Sequence, residues 1–150
     1  RLKHHQAEAE TAVEFTPTSF QQMAGLAAYY QTDNWVYLRV SWDESLGKSL
    51  NILSYDNGVY DEALEQDISL DENVPVYLRV RFTGPSFQFS YAQVQDQWQD
   101  IGPTFESGKL SDDYCQGLSF TGTFIALCCQ DLSGQMMPAD FAYFRYRELK

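Results

Sequence analysis

The sequence predicts an all-β chain: an antiparallel β-sandwich or jelly roll of two stacked sheets. Three observations carry that prediction. Apolar and polar residues alternate over short segments, the period at which successive side chains face opposite sides of a strand. Turn residues interrupt those segments at close spacing, with no long helical periodicity between them. Aromatic residues make up 15% of the 150, with 10 Tyr and 10 Phe, a load that suits strands better than helices.

The elements follow in order. Residues 9–15 (AETAVEF) and 24–30 (AGLAAYY) are the first strand candidates, joined through Thr16-Pro17-Thr18. Residues 35–42 (WVYLRVSW) place Val36, Leu38, Val40 and Trp42 on one face, with Tyr37, Arg39 and Ser41 on the other. Asp56-Asn57-Gly58 separates SLNILSY from VYDEAL. Asn-Gly favours a tight hairpin because both central positions take positive φ. Residues 75–82 (PVYLRVRF) repeat the alternation, with Val76, Leu78, Val80 and Phe82 against Tyr77, Arg79 and Arg81. Beyond Thr83-Gly84-Pro85-Ser86, Phe87, Phe89 and Tyr91 alternate with Gln88 and Ser90. Residues 123–129 are apolar on both faces, and 141–147 (FAYFRYR) form a further aromatic strand. Helical turns are expected only over 63–66 and near Gln21-Gln22-Met23. YLRV occurs at both 37–40 and 77–80, but the flanks differ, so these are two strands obeying one alternation. The reading gives about nine or ten strands. Val36, Leu38, Val40, Val76, Leu78, Val80, Phe87 and Phe89 are expected between the sheets.

A chain of 150 residues fits one domain and can bury a real core. Ten basic residues against 21 acidic ones give a formal charge of -11. That balance argues against nucleic acid and against an anionic membrane surface, both of which need basic patches. No uninterrupted apolar run approaches the roughly 18 residues that cross a bilayer as a helix. No leader pattern opens the chain, and its first residue is Arg1 and not Met, so it is expected to be a piece of a longer protein. Cys128 and Cys129 are neighbours in a strand, so their side chains diverge and do not bridge each other; Cys115 is the remaining candidate partner. Free, apolar-flanked thiols point to a reducing compartment, and a cytoplasmic location is expected.

Chemistry-bearing residues are few. His4-His5 diverge on an extended segment and make a poor metal pair. No base sits beside a thiol, so Cys128 and Cys129 are expected to be reduced, buried core residues. Asp56 and Asp61 flank the Asn-Gly turn, and Asp112-Asp113 precede Tyr114, but such turn-borne acids are usually solvated or capping. No catalytic residue, metal site or cofactor is expected. Trp35, Tyr37 and Trp42, with Tyr29 and Tyr30, form either a sugar-stacking platform or part of the packing between the sheets.

Longer stretches carry a resemblance. AGLAAYYQTDNWVYLRV, NILSYDNGVYDE, VYLRVRFTGPSFQFSYAQVQDQW, LSDDYCQGLSFTGTFIALCCQDLSG and PADFAYFRYRE resemble, in that order, the C-terminal domain of bacterial β-xylosidases of glycoside hydrolase family 43. The resemblance covers essentially the whole chain. It implies a single concanavalin A-like β-sandwich over residues 1–150, appended to an N-terminal five-bladed propeller that lies outside this sequence. It implies that the propeller carries the catalytic carboxylates of an inverting hydrolase acting on xylo-oligosaccharides. It also implies that the sandwich packs on the propeller and lends a loop to the sugar pocket. The matching positions are Ser119, Phe120, Thr121 and Gly122, with Phe120 as the aromatic that closes the pocket. Relatives often carry a second aromatic where this chain has Ser119, and a Ser-x-Asp-Gly type turn where it reads AQVQDQW. The expected partners are the propeller and a xylo-oligosaccharide, with homo-oligomerisation left open. The competing reading is a free-standing, lectin-like carbohydrate-binding module. A solvent-facing aromatic row favours the module, and a large apolar patch favours the accessory domain.

Overall fold

The structure, a computed structural model, describes residues 1–117 and 120–150. The described residues form eleven strands: β1 (Gln6–Glu14), β2 (Gln22–Gln31), β3 (Asn34–Asp43), β4 (Gly47–Asp56), β5 (Val59–Glu62), β6 (Ile68–Ser69), β7 (Val76–Thr83), β8 (Ser86–Ala92), β9 (Gln99–Glu106), β10 (Phe124–Asp131) and β11 (Asp140–Glu148). They build two sheets. One runs β11-β1-β7-β8-β9; the other runs β10-β2-β3-β4-β5, with β6 also paired to β4. Every pairing is antiparallel. The Asn-Gly turn forms as its composition requires: Asn57 (φ 49) and Gly58 (φ 81) lie in the left-handed region, and Asp56 pairs with Val59.

All eight side chains expected between the sheets are there, none more than 7% exposed. Alternation decides this, since a one-residue slip would turn each strand's apolar set outward. Two local expectations are corrected. Residues 63–66 are bends, and Gln22 opens β2 directly after a single turn at Phe20–Gln21, closed by the Gln22 N–H on the Ser19 carbonyl at 3.0 Å, so neither segment extends into a helix. At the first, Ala63 donates its N–H to Ile52 at 2.9 Å, holding the chain to the edge of β4. At the second, the Gln22 side chain accepts from the Thr18 N–H at 2.8 Å and fixes the corner. Among the described residues the one helical turn is the 3-10 turn Ser107–Leu110.

The thiols need a further correction. All three are free, and Cys115 is buried, but Cys128 is only half-buried and Cys129 is exposed. β10 is the edge strand of its sheet, so its two-sided apolar character is left partly uncovered: Phe124 is 36% and Leu127 37% exposed.

The outer face of the β1-containing sheet is held by charge. Glu8, its side chain 2% exposed, accepts from Arg81 at 2.6 and 2.9 Å and from Arg147 at 2.8 and 3.0 Å. Burial pushes its pKa up, but the two forked guanidiniums, with Arg79 nearby, outweigh it and hold the carboxyl below its ordinary 4.5. A carboxyl depressed in the folded state contributes stability above its ordinary value and loses it as pH falls through the lower, native value. Thermal unfolding midpoints are therefore expected to fall as pH drops below about 4.5. Glu8→Gln should flatten that acid limb while lowering stability at neutral pH. An unchanged acid limb in the variant would show that other carboxyls set it.

Candidate functional site

The loop between β9 and β10 is described at residues 107–117 and 120–123. Side chains and backbone groups from the neighbouring turns tie it down. Gln31 donates to the Gln116 carbonyl at 2.9 Å, and the Gln116 N–H donates to Asn57 at 3.1 Å. The Tyr30 hydroxyl donates to Asp112, and the Thr123 hydroxyl donates to the Leu110 carbonyl at 2.8 Å. The Thr121 hydroxyl donates to the Tyr30 carbonyl at 3.2 Å.

On this braced support sits Phe120, 73% exposed and with φ 48. A bulky side chain in the left-handed region is uncommon and costs free energy, the kind of local strain that clusters at functional sites. Gly122 also takes a positive φ of 86, and a Cβ there would stand 2.7 Å from Nε of Arg1. The turn therefore favours glycine for its backbone, while the Arg1 side chain is flexible and can move aside. Ser119 lies outside the described residues. Phe120, Thr121 and Gly122 are brought together at the mouth of β10.

Behind the turn is a feature that the sequence only half revealed. Phe124 pairs with Tyr29, Tyr29 with Trp35, Trp35 with Tyr55, and Tyr55 with Tyr60. Five aromatics thus stand in register, one per strand, on the outer face of the β2-containing sheet, but Tyr29, Trp35 and Tyr55 are half-buried, so only the two ends of the row face solvent. They cross four strand spacings, about 19 Å. Trp35 and Tyr55 meet edge to face at 4.9 Å between ring centroids, and Tyr55 and Tyr60 at 5.8 Å. Of the aromatics considered for a platform, Trp35 and Tyr29 belong to this row, Trp42 is half-buried, and Tyr30 and Tyr37 are buried. Tyr55, Tyr60 and Phe124 were missed. The Asn-Gly turn carried the signal for one pair, because a two-residue turn sets Tyr55 opposite Tyr60.

Other candidates are placed without forming a reaction centre. Asp56 accepts from the Tyr114 hydroxyl at 2.5 Å and from Lys109 at 3.2 Å. Those two partners hold its carboxyl below the usual range. Asp61 pairs with Ser54 and not with Asp56. His4 meets the Tyr146 hydroxyl at 3.0 Å through Nδ1. Burial pushes all three thiols above their ordinary pKa, so none is an activated thiolate.

The sequence model of the family described as the beta-xylosidase C-terminal concanavalin A-like domain matches residues 1–147. The chain belongs to that family. A β-xylosidase of Bacillus subtilis (strain 168) is 47% identical over 143 residues, which are 94% of this chain and 27% of that protein. A xylan 1,3-β-xylosidase of Vibrio sp is 35% identical over 149 residues, 99% of this chain and 28% of that protein. The crystal structure of a xylan β-1,4-xylosidase from Bacillus halodurans C-125 superposes with a TM-score of 0.95 at 44% identity, over 99% of this chain and 28% of that one. The chain thus spans little more than a quarter of the relatives it matches.

Proposed function

We propose that this domain serves a larger glycoside hydrolase that removes xylose from short xylo-oligosaccharides, by docking on the catalytic domain and presenting Phe120 to the sugar pocket. Its own acids are engaged in structural contacts or spread over turns, and the reading assigns the catalytic carboxylates to the remainder of the protein. The observation that carries it is the exposed, left-handed Phe120 in a braced loop of a chain belonging to this family.

The distribution of exposed apolar side chains supports docking. Among the described residues, six of the twelve large ones (Phe120, Phe124, Leu127, Leu132, Met136 and Phe144) fall within residues 120–148, which carry β10, β11 and the loop between them. A concentration of that kind marks an interaction face. Two relatives sharing the domain are named for different linkages, which favours a linkage choice made outside it.

An aromatic lid excludes water and lays an apolar face on the pyranose, strengthening the acid/base electrostatics beneath it. Phe120→Ala in the full-length enzyme is expected to lower kcat/KM roughly tenfold, the value of one stacked aromatic contact. The melting temperature should hold, because the ring is mostly in solvent in this chain. A lower melting temperature with normal kinetics would instead make Phe120 an ordinary contact between domains.

A further inference from the structure

The edge of the sandwich opposite β10 and β11 is formed by β5 and β9, and a cleft of about 650 Å³ opens between them. We propose that this cleft is a second carbohydrate site, taking a short neutral oligosaccharide of pyranose units. Its floor is apolar: Phe87 and Leu110 are 1% and 4% exposed, and Phe105 stacks on Phe87 at 5.3 Å. Its rim is tyrosine and carboxylate: Tyr60 (51% exposed) and Tyr114 (38%), with Asp56, Asp61 and Glu106.

That combination selects among ligand classes. The volume is that of a small-molecule site, and such sites pair an apolar lining with a few placed polar groups. A pyranose offers an apolar C–H face to aromatic rings and a belt of hydroxyl donors to carboxylates. Anions are disfavoured by three rim carboxylates, the one rim lysine being already bound to Asp56 at 3.2 Å. The contacts of Asp56 with Tyr114 and Lys109 hold one side of the rim in place. A metal ion is disfavoured because no three His, Cys, Asp or Glu side chains converge among the described residues. Phe120, Thr121 and Gly122 do not line the cleft, although Lys109, Leu110 and Tyr114 of the same loop do, so the cleft is tested through β5 residues and not through the pocket-closing turn.

The test is calorimetric titration of the 150-residue chain with xylotriose, with sedimentation and melting controls. Saturable binding is expected, weakened about tenfold by Tyr60→Ala and by Asp61→Asn, and unchanged by Val94→Ala, an exposed side chain outside the cleft. Both altered cleft residues are exposed, so both variants should remain folded, with Asp61→Asn matching the parent's melting temperature and Tyr60→Ala losing only its ring contact with Tyr55. The proposal is overturned by absence of saturable binding, or by binding that both cleft variants retain. It is overturned equally by binding lost in Val94→Ala, or by a cleft whose variants abolish self-association and leave sugar binding untouched.

Discussion

Gly25→Ala is expected to disrupt the sheet that carries the aromatic row. Gly25 lies in β2, between β10 and β3, opposite Cys128 on one side and Arg39 on the other. A Cβ there would stand 2.0 Å from the Leu38 carbonyl oxygen and 3.1 Å from the Arg39 Cα. Both are backbone atoms, so no rotamer change relieves the clash; β2 and β3 must separate. An extra methylene in a packed core typically costs about 1–3 kcal/mol, and a clash with a neighbouring strand's backbone belongs at or above the top of that range. The missing side chain has a second use. Tyr37 reaches across β2 to donate to Gln130 on β10 at 2.9 Å, and small residues at 25 and 27 leave it room. Losing this arrangement would displace β10, and with it the turn bearing Phe120. Chemical denaturation of the variant should show a much lower midpoint, or the chain should fail to accumulate in soluble form. A parental midpoint would mean that the two strands tolerate the methyl group.

Most of the sandwich was legible because its signals are local. Val76, Leu78 and Val80 point inward for the same reason that Tyr77, Arg79 and Arg81 do not, and the Asn57-Gly58 turn fixes the register of β4 with β5. What failed depends on which strands become neighbours. An apolar strand reads alike in the middle of a sheet and at its edge, so Cys129 was expected to be buried and is exposed. The aromatic row needs the order β10-β2-β3-β4-β5, which joins Phe124 to Tyr29 across ninety-odd residues of chain. Phe120 was singled out through family resemblance alone, its left-handed backbone being invisible to composition. The cleft was not legible at all, since it is the gap left where two edge strands of different sheets face each other.

That same gap makes two adjacent core phenylalanines unequal. Phe87 and Phe89 are 1% and 0% exposed and share a face of β8. Phe87 lies between Phe82 and Phe105, at 4.8 and 5.3 Å, and Phe89 meets Phe87 and Phe105 edge to face at 5.9 and 6.2 Å. Removing either ring forfeits its transfer free energy and its packing, about 3–5 kcal/mol for Phe→Ala in a core. The difference lies in what fills the hole. Phe87 lines the cleft and Phe89 does not, so the space left by Phe87→Ala is continuous with solvent, whereas that left by Phe89→Ala is closed and apolar. A closed apolar cavity stays dry and keeps its full cost. Phe89→Ala is therefore expected to lose about 4–5 kcal/mol and Phe87→Ala about 3. For a domain of this size these losses move the melting temperature by about 10 °C or more. Urea unfolding of the 150-residue chain should give lower midpoints at unchanged slope, with Phe89→Ala the lower of the two. The reverse order would mean that the ring at the cleft floor, and not the enclosed one, is the better supported of the pair.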